Sequence, residues 1–146
     1  MKTIHFICTG NVYRSRLAEA YFNSLHIPNI KIISSGIEAD HSGDGPIEWY
    51  AMRLLYNANL ESFMAYDCQK TTVDLLKKGD FTVFMEPKHL DFCSNVLGYL
   101  PEFYQVWNVE DMHPRDLTDR DIIDISEKTF SLIKTKVEAL IKDLTK

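Results

Sequence analysis

Short apolar runs rich in β-branched residues alternate along this chain with longer segments whose apolar positions recur at helical spacing. Thr3 to Ile7 reads as a buried strand, and Ser15 to Leu25, with Leu17, Ala18, Ala20, Tyr21 and Phe22, as a helix. Pro28 and Asn29 interrupt the chain before a second strand, Ile30-Lys31-Ile32-Ile33-Ser34. The stretch from Gly36 to Gly45 carries turn formers, including Asp40, Ser42, Gly43 and Asp44, and Pro46 is expected to open the next helix, with Ile47, Met52, Leu54, Leu55 and Ala58 among its apolar positions. Thr72 to Lys77 reads as a short helix ending at Gly79, Phe81 to Met85 as a third strand, and Pro87 to Val96 as a helix. Phe103 to Val109 is expected to form a fourth strand. A turn-rich acidic stretch follows, and then one long helix from Ile122 to Leu144, whose stripe includes Ile122, Ile125, Phe130, Ile133, Val137, Leu140 and Leu144.

Strands alternating with helices predict an α/β fold: a four-stranded parallel sheet with helices on both faces. Ligands of such sheets bind beyond the carboxyl ends of the strands. Cys8 ends the first strand and Asp111 follows the last, so one crevice is expected to hold both. No repeat, low-complexity tract or linker divides the chain, and residues 1–146 are read as a single domain.

Composition narrows the function classes. A net charge of −5 argues against nucleic-acid binding, so attraction for an anion must come from a local field. Three cysteines, an odd number without close pairing, do not form a disulfide framework and suit a reducing, cytoplasmic setting. The apolar run near the start is too short for a signal peptide, and no run approaches a membrane span. His5, His26, His41, His89 and His113 show no metal-binding spacing, so neither metal nor other cofactor is expected.

The densest chemistry lies in Cys8-Thr9-Gly10-Asn11-Val12-Tyr13-Arg14-Ser15, between the first strand and the first helix. A tight loop there turns backbone N–H groups toward one point and sets a helix N-terminus behind them, which makes a phosphate-binding loop. A cysteine suits its floor because thiolate sulfur attacks phosphorus well and leaves well. An ordinary thiol is only a few per cent ionised at neutral pH, and a helix N-terminus with a guanidinium nearby favours the thiolate. Arg14 offers a planar fork for two phosphoryl oxygens, Ser15 a hydroxyl for the sulfur, Gly10 conformational freedom, and Asn11 tolerance of a left-handed backbone with an amide to tie the loop. A nucleotide-binding loop fits worse, since no lysine closes this one. The bland alternative, a core cysteine followed by a glycine turn, does not account for the whole set.

These residues resemble the low-molecular-weight protein tyrosine phosphatases, whose motif runs Cys-x-Gly-Asn-x-Cys-Arg-Ser-Pro near the amino end. The resemblance extends along the chain: Ser34-Ser35-Gly36 resembles the family's Ser-Ala-Gly, Gly45-Pro46 its Gly-x-Pro element, and Val83-Phe84-Met85-Glu86 its Val-x-Met-Glu strand. It implies that Cys8 is the nucleophile, Arg14 the phosphate clamp, Ser15 the thiolate stabiliser and Asn11 the loop organiser, with Thr9, Gly10, Val12 and Tyr13 completing the phosphate site. An Asp-Pro after the last strand supplies the family's general acid. The matching stretch is Val109-Glu110-Asp111-Met112-His113-Pro114, and Asp111 takes that role here, with Glu110 and Asp116 as alternatives and a solvated or helix-capping cluster with Asp119, Asp121 and Asp124 as the non-catalytic reading.

The resemblance therefore implies hydrolysis of phosphotyrosine in protein substrates through a phosphocysteine, with release of inorganic phosphate, by a cofactor-free monomer. In this family a threonine at the Val12 position marks arginine phosphatases and an aliphatic residue marks tyrosine phosphatases, so Val12 leans to phosphotyrosine. Trp49 and Tyr50 either wall a groove for an aromatic phosphoester or pack in the core. Asp40, His41 and Asp44 read as exposed loop polars. Two departures stand out: Tyr13 replaces the second loop cysteine, so an oxidised Cys8 lacks a neighbouring thiol, and Arg16 replaces the proline, loosening the helix start while adding positive charge. The arsenate reductases use two cysteines after the third strand; Cys93 matches the second, but Glu86 stands at the first, and Cys68 and Cys93 read as buried thiols. A phosphoprotein-binding module with weakened chemistry is the alternative outside enzymes.

Overall fold

The computed structural model describes residues 1–40 and 45–146. His41, Ser42, Gly43 and Asp44, expected above to lie in a turn-rich loop, fall outside the described residues. Strand β1 (Lys2–Cys8) pairs in parallel with β2 (Ile30–Gly36) on one side and β3 (Phe81–Phe84) on the other, and β4 (Tyr104–Val106) completes a four-stranded sheet of order β2-β1-β3-β4. The chain first builds outward from β1 and then returns to build on its other side, so β1 and β3 meet at the switch point of the sheet. That is where a parallel sheet opens a crevice at its carboxyl ends.

Period-two alternation sends successive residues of the central strands to opposite faces. Ile4, Phe6 and Val83 join Leu17 and Phe22 of α1 (Arg14–Ser24), Leu54 and Leu55 of α2 (Trp49–Asn57) and Phe130, Ile133 and Val137 of α5 (Asp119–Leu144) in the larger core. Ile7 and Phe84 point the other way, against Leu76 of α3 (Val73–Lys78) and Cys93 of α4 (Pro87–Asn95). Helices therefore cover both faces, and each fully buried aliphatic or aromatic side chain stabilises the layer by roughly 1.5–3 kcal/mol.

Three boundaries differ by three residues from the sequence expectation, each for a local reason. Helix α2 begins at Trp49, not Pro46: Pro46 spends its carbonyl on the Arg16 guanidinium at 2.7 Å, and the Glu48 N–H donates to the Val12 carbonyl at 2.9 Å. Strand β4 stops at Val106 because Asn108 turns left-handed at φ 57°, although the Trp107 and Val109 N–H groups still reach the carbonyls of Phe84 and Met85. Helix α5 starts at Asp119, three residues before the apolar stripe. Thr118 accepts the Asp121 N–H at 3.1 Å while the Asp121 carboxylate accepts the Thr118 N–H at 3.3 Å, a reciprocal cap that sequence periodicity does not register.

Candidate active site

The loop after β1 is polarised by its own backbone. The carbonyls of Cys8, Thr9 and Val12 accept N–H groups of Ile37, Glu38 and Glu48, and that of Asn11 accepts the Arg16 guanidinium, so these carbonyls face away from the crevice. The N–H groups of Thr9, Gly10, Asn11, Val12 and Tyr13 donate to no acceptor among the described residues. A concave set of uncommitted donors at a helix N-terminus suits an anion. The left-handed residue in the loop is Asn11, at φ 56°; Gly10 does not take the positive φ that its conformational freedom suggested. A different glycine is sterically required: a Cβ on Gly36 would lie 2.5 Å from the Thr9 carbonyl oxygen and 2.6 Å from the Asn11 nitrogen, so only glycine lets β2 back the loop this closely.

Behind the loop, a chain of hydrogen bonds fixes where each proton goes. Asn11 Nδ2 donates to Ser15 Oγ at 2.7 Å and to Ser34 Oγ at 3.0 Å, while its Oδ1 accepts the Gln69 N–H at 3.0 Å. The Ser34 hydroxyl donates to Glu19 Oε1 at 2.8 Å. Ser15 Oγ thus accepts a hydrogen bond from Asn11, and its own O–H is left to donate to Cys8 Sγ, 2.9 Å away. Asn11 and Ser15 are fully buried. They organise the site from behind and do not line its surface.

Arg16 departs most from expectation. It neither loosens the helix start nor lends charge to the crevice. Its side chain is buried and donates to the carbonyls of Asn11, Pro46 and Ala65, while its Nε lies 3.5 Å from Glu19 Oε2. Burial pushes the Glu19 carboxyl above its ordinary value, opposed by the Ala65 N–H, the Ser34 hydroxyl and Arg16.

Arg14 crosses the crevice to both neighbouring strands. Its NH1 donates to Glu86 Oε1 at 2.5 Å, just past β3, and to the Val109 carbonyl at 2.7 Å, just past β4. Its NH2 donates to Thr9 Oγ1 at 3.2 Å and lies 3.4 Å from Asp111 Oδ2. Asp111 is one-quarter exposed, and its Oδ1 accepts the N–H of Met112 at 2.9 Å, which fixes the carboxylate. Thr9 Oγ1 also lies 2.9 Å from Nε2 of the fully buried His89.

These groups enclose an open pocket of about 350 Å³ lined by Cys8, Thr9, Gly10, Val12, Tyr13, Arg14, Glu48, Tyr50, Asp111, Met112 and Pro114. Cys8, Arg14 and Asp111, expected to converge, do converge. Trp49 does not line the pocket: it is about half exposed and packs edge-on against Tyr50 at 5.6 Å. The aromatic wall is Tyr50, itself edge-on to Tyr13 at 4.9 Å. Glu110 and Asp116 are exposed and outside the pocket lining, as is His113. Cys68 and Cys93 are buried and free, and among the described residues no cluster of metal-ligating side chains forms. Larger hollows of about 510 and 600 Å³ lie at the amino ends of the strands and beside Tyr66, and neither is lined by a cysteine or an arginine. Sequence reasoning missed Glu86 and His89 as neighbours of the site; His89 three residues after Glu86 was the available signal, because this is cap spacing.

With this geometry in view, the chain belongs to the low molecular weight phosphotyrosine protein phosphatase family, whose model matches residues 3–146. A low molecular weight protein-tyrosine-phosphatase of Bacillus subtilis is 27% identical across 100% of this chain and 97% of its own length. A putative low molecular weight protein-tyrosine-phosphatase of Klebsiella pneumoniae is 31% identical over 64% of this chain, and that match spans 62% of the Klebsiella protein. Among solved structures, the arginine phosphatase of Geobacillus stearothermophilus superposes with a TM-score of 0.75 over 98% of this chain and 95% of its own, at 18% identity, a likeness of fold.

Proposed function

We propose that this protein is a tyrosine phosphatase that hydrolyses phosphotyrosine in protein substrates through a phosphocysteine on Cys8. The observation that carries the reading is the convergence of three groups on one pocket: a sulfur hydrogen-bonded at 2.9 Å to Ser15, a ring of uncommitted N–H groups, and an Arg14 fork held opposite Asp111. The phosphoryl oxygens take the loop N–H groups and the Arg14 guanidinium. Sulfur attacks phosphorus; the P–O bond to the tyrosine breaks as the P–S bond forms. Asp111 gives its proton to the departing phenoxide. As carboxylate it then takes a proton from water, which displaces the sulfur and releases inorganic phosphate. General acid–base help of this kind contributes about 10²–10⁴-fold. The Ser15 hydroxyl stabilises the departing thiolate.

Val12 and Tyr50 line the pocket wall and suit an aryl phosphate. A second reading rests on the two carboxylates of the lining, Glu48 and Asp111, which suit the guanidinium of phosphoarginine; Val12, without a hydroxyl, speaks for tyrosine. The three thiols are free, in keeping with action in a reducing compartment, and among the described residues no helix is long and apolar enough to cross a membrane. Matched peptides carrying phosphotyrosine, phosphoarginine or phosphoserine test the reading. The expected order is phosphotyrosine far above the others. Faster turnover of phosphoarginine overturns the substrate, and turnover of none overturns the activity.

A further inference from the structure

The side chain of Thr9 is held in an arrangement that the roles assigned so far do not use. The direction of its hydroxyl follows from the neighbours. His89 Nδ1 accepts the Glu86 N–H at 3.0 Å at the start of α4, so Nδ1 carries no proton. The remaining ring proton sits on Nε2, which faces Thr9 Oγ1 at 2.9 Å and donates to it. Arg14 NH2 donates to the same oxygen at 3.2 Å. The ring stays neutral because burial, with the charges of Arg14 and Lys88, lowers the His89 pKa to about 3.

Thr9 Oγ1 therefore accepts two N–H donors and has one proton left. That proton makes no hydrogen bond among the described residues, and Thr9 is part of the pocket lining. A hydroxyl fed by two donors can only give, and here it gives toward the place where an anion belongs. Threonine at this position is thus a one-way donor, set by a histidine 80 residues away.

We propose that the Thr9 hydroxyl is a further catalytic group, donating a hydrogen bond to an equatorial oxygen of the phosphoryl group as its charge spreads in the transition state, and that His89 is the positioning residue that aims it. This rests on the reading of the pocket as a phosphoryl-transfer site. It adds a side-chain donor to the backbone ring. A donor placed where charge gathers stabilises the transition state more than the bound ground state.

The test uses the full chain and two inorganic probes: phosphate, a ground-state mimic, and vanadate, which adopts the five-coordinate geometry of the transfer. Affinities are measured by titration calorimetry for the wild type, Thr9→Val, Thr9→Ser and His89→Asn. Thr9→Val is expected to weaken vanadate by about tenfold or more and phosphate clearly less, while Thr9→Ser, which keeps the hydroxyl, stays within about twofold of wild type. His89→Asn keeps a side-chain oxygen for the Glu86 N–H but removes the donor to Thr9; it is expected to weaken vanadate several-fold and to lower kcat on an aryl phosphate with KM little changed. This variant carries the test if Thr9→Val does not fold.

Vanadate bound by Thr9→Val as tightly as by wild type overturns the proposal. So does an equal loss of phosphate and vanadate, which is the mark of a distorted loop. The binding comparison needs no turnover. A wild type that binds both anions but hydrolyses no phosphoester defeats the proposed function and leaves the Thr9 comparison decisive; a wild type that binds neither anion defeats both.

Discussion

Arg16 Nε lies 3.5 Å from Glu19 Oε2, one turn further along α1, and neither side chain is more than 3% exposed. This buried pair links two requirements. Glu19 orients the Ser34 hydroxyl behind the loop, and Arg16 pins the loop at the Asn11 carbonyl while holding the segments that contain Pro46 and Ala65. Where the family motif has a proline, this chain places a cation that binds three backbone segments together.

Removing one partner of such a pair strands the other charge. Arg16→Met is expected to lower stability by about 3–5 kcal/mol. The double variant Arg16→Met, Glu19→Leu is expected to recover part of that loss, because the uncompensated carboxylate is gone. Urea denaturation of both variants checks this; a single variant within about 1 kcal/mol of wild type contradicts the pairing.

In the proposed mechanism Asp111, which lines the pocket beside Arg14, serves the leaving group. Asp111→Asn is expected to slow hydrolysis of phosphotyrosine by about 10²–10⁴-fold. With 4-nitrophenyl phosphate, whose leaving group needs little protonation, the first step should be far less affected. Pre-steady-state release of the two phenols separates these cases. An equal loss on both substrates contradicts the assignment.

Oxidation of Cys8 should proceed without an internal rescue. Tyr13 stands in the loop where the family has a second cysteine, and burial raises the thiol pKa of Cys93 to about 11 and, together with Asp67, pushes that of Cys68 up as well. Peroxide is therefore expected to carry Cys8 past the sulfenic acid, leaving activity that dithiothreitol does not restore. Tyr13→Cys is expected to make a larger share of the loss reversible. Peptide mass mapping of the oxidised forms checks it.

Acid should destabilise the fold through two buried histidines. His5 donates or accepts at Ser35 Oγ, 2.7 Å away, with both side chains buried, and burial lowers its pKa to about 3, as for His89. The unfolded chain protonates both near the ordinary value of 6.5; the folded chain does so only near 3. Between these values the unfolded state binds more protons, so stability falls as pH drops through that window. The expected loss is about 2 kcal/mol per histidine between pH 7 and pH 5. Urea midpoints at the two pH values measure it, and His5→Gln should remove about half of the histidine contribution. A slope unchanged by that substitution contradicts this source.

The local parts of this molecule were legible in its sequence. The strand, the loop from Cys8 to Ser15 and the helix after it are consecutive, so the residue types declared their geometry directly. The sheet followed from alternation of periods. What long-range packing decides was not legible. Glu86 and the Val109 carbonyl reach Arg14 from 72 and 95 residues away. Which aromatic faces the pocket depended on where α2 begins, and a start at Trp49 instead of Pro46 puts Tyr50 against the loop and leaves Trp49 outside. Arg16 read as a loosened helix start that adds positive charge near the site; an acidic residue three positions on, amid an apolar helix, was the hint that it had a buried partner.

The most direct test of the whole account is to trap the intermediate. A peptide carrying ³²P-labelled phosphotyrosine is mixed with enzyme, quenched within milliseconds, and the labelled protein is digested and mapped. The account predicts phosphorus bonded to sulfur at Cys8, with more adduct accumulating in Asp111→Asn during turnover of an activated aryl phosphate. Turnover with no label on the protein, or label on a residue other than Cys8, would contradict it.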